Sequence, residues 1–444
     1  MDNGETRVLT EGQLEQTAAA AQKAAQALQI LNNETKNQAL RAVNQALQDH
    51  AEEIYQANRR DLARAAEQHL PEPLVKRLYL DSHKLDVLEE GICGLLKMPD
   101  PAGQIKLAEQ LDQDLNLYRV SCPIGVLAVI FEARPDALVQ IAALAVKSGN
   151  AVIMKGGTEA LSTNRALADI LTAACRGILP DGWLHLIEAR EEVDRLLALD
   201  QYIDLIIPRG SNAFVQYIMS HTRIPVLGHA DGVCHTYLAA DADPSLARRV
   251  VMDAKTQYVS VCNATETLLF DQSLARTLMP ELLTELINKG VRLSADAETG
   301  ALLPAFDFKP VKDWHYEYLD MALSVKAVPD TEAAIKHINT YGSHHTDAII
   351  TGDQTRAEHF MQAVDSANVF WNCSTRFSDG FRYGFGAEVG VSTSKIHARG
   401  PVGLEGLMTY KYKLYGKGQI VADYSEGRSH FTHCPLPLDQ EPHA

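Results

Sequence analysis

Cys262 is the residue in this sequence best placed to do chemistry. Residues 257–267 read QYVSVCNATET, and within them an apolar run (Tyr258, Val259, Val261) gives way at Cys262 to the small and polar Asn263, Ala264 and Thr265. The pattern predicts a thiol at a strand-to-helix junction. Backbone N–H groups at a helix N-terminus lower a thiol pKa and stabilise an oxyanion. The chemistry implied is nucleophilic attack on an acyl or carbonyl carbon. A buried core cysteine is the commoner fate of a thiol, so other residues must decide between the two.

Two loops add polar groups of a second kind. Lys155-Gly156-Gly157-Thr158 and Pro208-Arg209-Gly210-Ser211 each follow an apolar run and precede a helical pattern. Either could be a tight turn; together, at strand ends, they suggest a nucleotide site. No GxGxxG is present, so the standard dinucleotide fingerprint is missing. His344-His345-Thr346-Asp347 has the composition of a catalytic dyad, but substrate contact by His345 or local hydrogen bonding is the better reading. Neighbouring side chains of a strand point apart and no third ligand is evident, which disfavours a metal. Arg376, Asp379 and Arg382 lie in a Gly-rich stretch, and arginine suits bidentate recognition of carboxylate or phosphate.

These groups need a scaffold. Residues 11–98 carry Ala-rich helical periodicity (Leu14, Ala18, Ala21, Ala25, Leu28), with breaks at LNNET and HLPEP. Residues 107–121 alternate weakly, as a hairpin arm would. From PIGVLAVIF onward, short apolar strands alternate with helices through NAVIMKGG, WLHLI and DLIIPRGS, which predicts βαβ units and a parallel sheet. Ligands bind at the carboxyl ends of such strands, where Glu132, Arg134, Lys155, Thr158, Arg209 and Ser211 gather. A second α/β unit starts near 227 and runs through Cys262, the strand ETLLF and a strand–helix set at 323–352. Residues 378–406 are too Gly-rich for regular helix and predict a folded loop. Residues 408–416 alternate like an edge strand, and residues from 425 onward read as a loose tail.

Composition narrows the class. The 444 residues suggest two or three domains. The net charge of −16 argues against general nucleic-acid or anionic-membrane binding. Seven cysteines, an odd number with no CxxC pair, fit a reducing compartment and no zinc framework. The acidic, polar first residues do not resemble a secretory signal, and no apolar run is long enough to span a bilayer. The expectation is a cytoplasmic enzyme.

FEARPDA, KGGTEA, PRGSNAFV, GHADGVCHTY, VSVCNATETLL, YGSHHTDAI and FGAEVGVSTSKIHARGPVGLEGL occur in the order and spacing of one family. Over residues 11–424 the chain resembles the gamma-glutamyl phosphate reductases (glutamate-5-semialdehyde dehydrogenases) of the aldehyde dehydrogenase superfamily. The resemblance implies an α/β fold with two Rossmann-like domains and a small β oligomerisation element. It implies NADPH-dependent reduction of L-glutamyl 5-phosphate to glutamate 5-semialdehyde and phosphate through a Cys262 thioester, the second step of proline biosynthesis from glutamate. By this resemblance Lys155 and Thr158 face the adenosine ribose, and Thr158, where NAD-preferring relatives often carry Glu, tolerates a 2′-phosphate. Ser211 meets the pyrophosphate and Glu317 the nicotinamide ribose. His229 stands where hydrolytic relatives keep a general-base Glu, and Ala133 where they keep an oxyanion Asn. The oxyanion donors are then expected from the Cys262 N–H and the Asn263 side chain.

Further expectations follow from the resemblance. Residues 1–107 and 122–226 form the NADPH-binding domain, 227–400 the catalytic domain, and 108–121 with 408–418 the oligomerisation element, which predicts a homo-oligomer. Arg134, Arg209, His345, Arg376 and Arg382 are the candidates for holding substrate. Association with a glutamate kinase, which would protect the labile acyl phosphate, stays open. So do two alternatives: a coenzyme A–dependent acylating dehydrogenase, and a non-catalytic binding protein on the same fold.

Overall fold

The computed structural model describes residues 6–439 apart from 211, 229, 230 and 386. Its fold is aldehyde dehydrogenase-like, built on two parallel sheets. The first has the strand order Leu184–Ile187, Ala151–Lys155, Val126–Phe131, Leu205–Arg209, every neighbour parallel. Val126–Phe131 is buried along its whole length. That explains its unbroken apolar run, since a strand covered on both faces has no polar alternation.

Five helices between Glu11 and Lys97 lead into this sheet. Leu14, Ala18, Ala21 and Leu28 are fully or almost fully buried, and the first helix packs against Ala151–Lys155. The predicted breaks at LNNET and HLPEP are present; two more, at His50 and at residues 79–81, have no Gly or Pro to signal them.

The second sheet has seven parallel strands in the order Lys309–Pro310, Arg292–Ala295, Ala322–Val328, Thr265–Asp271, Cys234–Leu238, Thr346–Ile350, Asn368–Trp371. The Gly-rich stretch folds as a short antiparallel pair, Gly390–Ser392 with Gly400–Val402, followed by a 3-10 turn at Leu404–Leu407.

A third, antiparallel sheet stands apart. Ile105–Asp112 pairs with Leu115–Pro123, which pairs with Met408–Tyr415. The segment expected to be a loose tail instead docks here: Glu109 and Gln110 pair with Pro435 and Cys434, and Leu436 packs on Ala108 and Tyr118. The arm's outer edge otherwise leaves backbone groups unpaired, and this short strand covers it. On the opposite edge, Tyr410, Tyr412 and Leu414 are all more than half exposed. No helix among the described residues is long and apolar enough to cross a membrane.

Candidate active site

Cys262 is half-buried, but not on the element its sequence suggested. The helix Pro244–Thr256 precedes it, and strand Thr265–Asp271 begins three residues after it. Val259 and Val261 are in bends and Tyr258 is in no regular element, and the turn is closed by Ala264 N–H donating to the Val261 carbonyl at 3.1 Å. No helix starts after Cys262, so helix N-terminal donors do not act on its thiol. The apolar run misled because short β-like runs and packed turns look alike in one dimension. Cys262 thus lies at the amino ends of the second sheet, while Lys155 and Arg209 lie at the carboxyl ends of the first. The site is the seam between them.

The turn is held from behind. The Cys234 thiol donates to the Cys262 carbonyl at 3.1 Å, and burial raises the Cys234 pKa well above its ordinary value, which keeps it a thiol. His345 Nδ1 lies 3.8 Å from Cys234 Sγ and 2.8 Å from Thr346 Oγ1. His345 is wholly buried. It leads into an interior strand and supports the nucleophile's turn from the protein side. Asn263 is also buried, and its Nδ2 donates to the Ser378 carbonyl at 2.8 Å. That bond engages one of the two side-chain N–H groups expected to serve an oxyanion.

Cationic groups converge on the thiol. Arg209 and Arg376 each interact electrostatically with Cys262. Burial, and then Arg134 beside it, lower the Arg209 pKa from its ordinary value. Burial and then Arg382 do the same to Arg376. Arg376 Nε donates to Gln257 Oε1 at 3.0 Å, and Arg382 donates to the Arg376 carbonyl at 2.8 Å. Arg209, at the end of strand Leu205–Arg209, faces Arg134, and Arg376, on the 3-10 turn Thr375–Phe377, faces Arg382. Gln257 gave no signal in the sequence, because its role arises only through the 119-residue separation from Arg376.

Glu317 reaches the same seam. Its carboxylate accepts from Asn212 Nδ2 at 3.2 Å, and Asn212 also binds Asp231. The Glu317 Oε1 and the Cys262 backbone both press on Gly232, where a Cβ would collide with Cys262.

A family model described as the aldehyde dehydrogenase family matches residues 3–320. A gamma-glutamyl phosphate reductase of Acetivibrio thermocellus is 56% identical over 91% of this chain and 94% of its own. The chain belongs to the gamma-glutamyl phosphate reductase family of aldehyde dehydrogenases. The crystal structure of the gamma-glutamyl phosphate reductase from Thermotoga maritima superposes with a TM-score of 0.88 at 34% identity, covering 92% of this chain and 99% of that one. A glyceraldehyde-3-phosphate dehydrogenase from Methanocaldococcus jannaschii, solved in complex with NADP, shares the fold at 15% identity and a TM-score of 0.65, over 93% of this chain and 96% of that one.

Nicotinamide dinucleotides are the cofactor class of aldehyde dehydrogenases. In this reductase the residues at the carboxyl ends of the first sheet fit one. Lys155 is buried, and burial lowers its pKa. Glu159, Glu132 and Glu192 act on it electrostatically in the opposite sense. Arg190, just past strand Leu184–Ile187, acts electrostatically on Lys155 and adds a second cation that the sequence gave no reason to choose. Thr158 is exposed beside them, and the neighbouring Glu159 accepts the Ala133 N–H at 2.6 Å while also acting electrostatically on Lys155.

The helix that follows, Leu161–Ala174, is not a phosphate cradle. Its first amides, Ser162 and Thr163, donate to the buried Asp61 carboxylate at 3.0 and 2.8 Å. Ser211 and His229 lie outside the described residues.

Proposed function

We propose that this enzyme reduces L-glutamyl 5-phosphate to L-glutamate 5-semialdehyde and phosphate, with NADPH as reductant, in proline biosynthesis from glutamate. The observation that carries this reading is Cys262 half-buried and acted on electrostatically by Arg209 and Arg376, in a chain 56% identical to a named reductase of that substrate class.

Cys262 attacks the acyl carbon, phosphate leaves, and a thioester remains on the protein. NADPH, when bound, supplies the hydride that reduces this thioester. Cys262 is then expelled as the aldehyde forms. The phosphate is bonded directly to the acyl carbon, so it lies near Arg209 and Arg376, the two arginines that act on Cys262. The α-carboxylate lies farther from the reacting carbon, within reach of Arg134 and Arg382. The Cys262 N–H and the second Asn263 N–H are the oxyanion donors. Lys155, Thr158 and Arg190 take the ribose 2′-phosphate, and Glu317 the nicotinamide ribose.

The exposed edge strand Met408–Tyr415, with Tyr410, Tyr412 and Leu414 outward, supports a homo-oligomer assembled through this element. Sedimentation at micromolar concentration would show more than one chain; a monomer would reject the assembly. A labile acyl phosphate also favours direct transfer from a glutamate kinase.

The deciding experiment is the reverse reaction with pyrroline-5-carboxylate, phosphate and NADP⁺. Phosphate-dependent NADPH formation, abolished by Cys262→Ser with NADPH binding intact, is expected. NADPH formation without phosphate would instead mean a hydrolytic dehydrogenase.

A further inference from the structure

Lys255 and Glu266 form an ion pair of 3.0 Å with both side chains wholly buried. Such a pair contributes little net stability, because desolvating two charges offsets their attraction. A different role is visible in where the rest of the Glu266 carboxylate is directed. Its Oε2 accepts from the Tyr318 N–H and its Oε1 from the Leu319 N–H, each at 3.3 Å. These amides belong to the two residues that follow Glu317.

The turn needs such a hold. Leu319 is a non-glycine residue at φ 50°, in the left-handed region that costs an L-residue free energy unless its surroundings enforce it. The Tyr318 hydroxyl is bound to Ser324 Oγ at 2.9 Å, which fixes the same turn at a second point. The chain of contacts runs from helix Pro244–Thr256 (Lys255), through strand Thr265–Asp271 (Glu266), to the loop that aims Glu317 beside Cys262. Glu317 also repels Glu266, and Lys255 compensates that repulsion.

We propose that Lys255 and Glu266 are positioning residues that fix the Glu317 carboxylate and thereby set the affinity for the nicotinamide end of the cofactor. The proposal rests on the reading above that Glu317 meets the cofactor. The pair touches neither substrate nor cofactor; it acts through the backbone of residues 318 and 319. Glu317 and Lys255 face Glu266, and Asp320 and Cys234 face Lys255, so these are the groups whose charge can disturb the clamp.

The test is NADPH affinity, measured by fluorescence on the full chain, in wild type, Glu317→Gln, Glu266→Gln and the Glu266→Gln/Glu317→Gln double variant. Glu266→Gln should raise the NADPH Kd about 10-fold, and the double variant should lose little more than Glu317→Gln alone, because coupled residues are non-additive. Glu266→Gln leaves Lys255 charged and alone in the core, so Lys255→Met/Glu266→Gln, with both charges removed, serves as the variant that folds; it should show the same loss. An unchanged Kd in that variant, with Glu317→Gln weakened, would overturn the clamp and leave the cofactor reading standing. An unchanged Kd in Glu317→Gln would overturn both. Equal rises in KM for NADP⁺ and for pyrroline-5-carboxylate would mark a general structural effect and reject the clamp.

Discussion

Gly232 and Cys262 pass so closely that a Cβ on Gly232 would collide with the Cys262 carbonyl oxygen and Cα while lying 2.6 Å from Glu317 Oε1. The glycine is required by close approach, and the contact is to backbone, which cannot rotate away. Gly232→Ala must therefore displace either the nucleophile's turn or Glu317. A displacement of order 1 Å at a reacting centre costs about 100-fold in rate. The expected result is a kcat/KM lowered by about that factor in the reverse reaction, with the far-ultraviolet circular dichroism of the wild type. Wild-type activity in Gly232→Ala would mean that the seam is looser than these contacts imply.

On the proposed reading, cofactor choice turns on Thr158. Glu159 is held on the Ala133 amide and acts electrostatically on Lys155, whereas Thr158 itself brings no carboxylate to the space beside it. Thr158→Glu places one there, facing a 2′-phosphate. At the effective dielectric of a protein surface the repulsion is a few kcal/mol or less, so the NADPH-to-NADH preference should fall about 10-fold. Arg190→Ala should move it the same way by removing a cation near Lys155. Steady-state kinetics with both cofactors would check this. An unmoved ratio in both variants would place the 2′-phosphate elsewhere.

What the sequence made legible was what short-range pattern controls. The strands Val126–Phe131 and Ala151–Lys155 announced themselves by unbroken apolar runs, and the family motifs pointed to Cys262 and Lys155. The turn at Cys262 was misread because Tyr258, Val259 and Val261 satisfy a strand pattern while none of them is in a strand. The burial of His345 was not legible, because it depends on which strands flank Thr346–Ile350, and the strand order mixes residues 234–238 with 346–350 and 368–371. The docking of residues 434–436 on an arm more than 300 residues earlier in the chain had no local signal at all.

Asp61 shows the same long-range logic with an energetic consequence. It is wholly buried on one helix and accepts from Ser162 N–H, Thr163 N–H and Thr163 Oγ1 at the start of another, where an anion is favoured by the helix dipole. Asp61→Ala leaves two buried amides without their acceptor. Each unsatisfied group costs about 1 to 3 kcal/mol, so the helix Leu161–Ala174 should open more readily by roughly 2 to 6 kcal/mol. Hydrogen exchange would report this as faster exchange in peptides covering residues 161–174. Unchanged protection there would show that the cap is not what secures this helix.

His337 gives the protein a defined acid sensitivity. It is 5% exposed, with its ring edge-on to Trp314 and His235. Its Nε2 has no hydrogen-bond partner among the described residues. Burial, with smaller contributions from His235 and Lys326, pushes its pKa down to about 3. The unfolded chain takes up a proton near the ordinary histidine value of about 6.5, whereas the folded one does not until about 3. Between those limits the unfolded state binds more protons, so stability is present above about 6.5 and is lost as pH falls. The slope from one such proton is about 1.4 kcal/mol per pH unit. Urea midpoints between pH 6.5 and 4.5 should therefore fall more steeply in wild type than in His337→Phe, which keeps a ring in the cluster without a titrating nitrogen. Parallel pH profiles for the two proteins would mean that His337 accepts its proton in the folded state, and that the Trp314–His337 contact tolerates a charge.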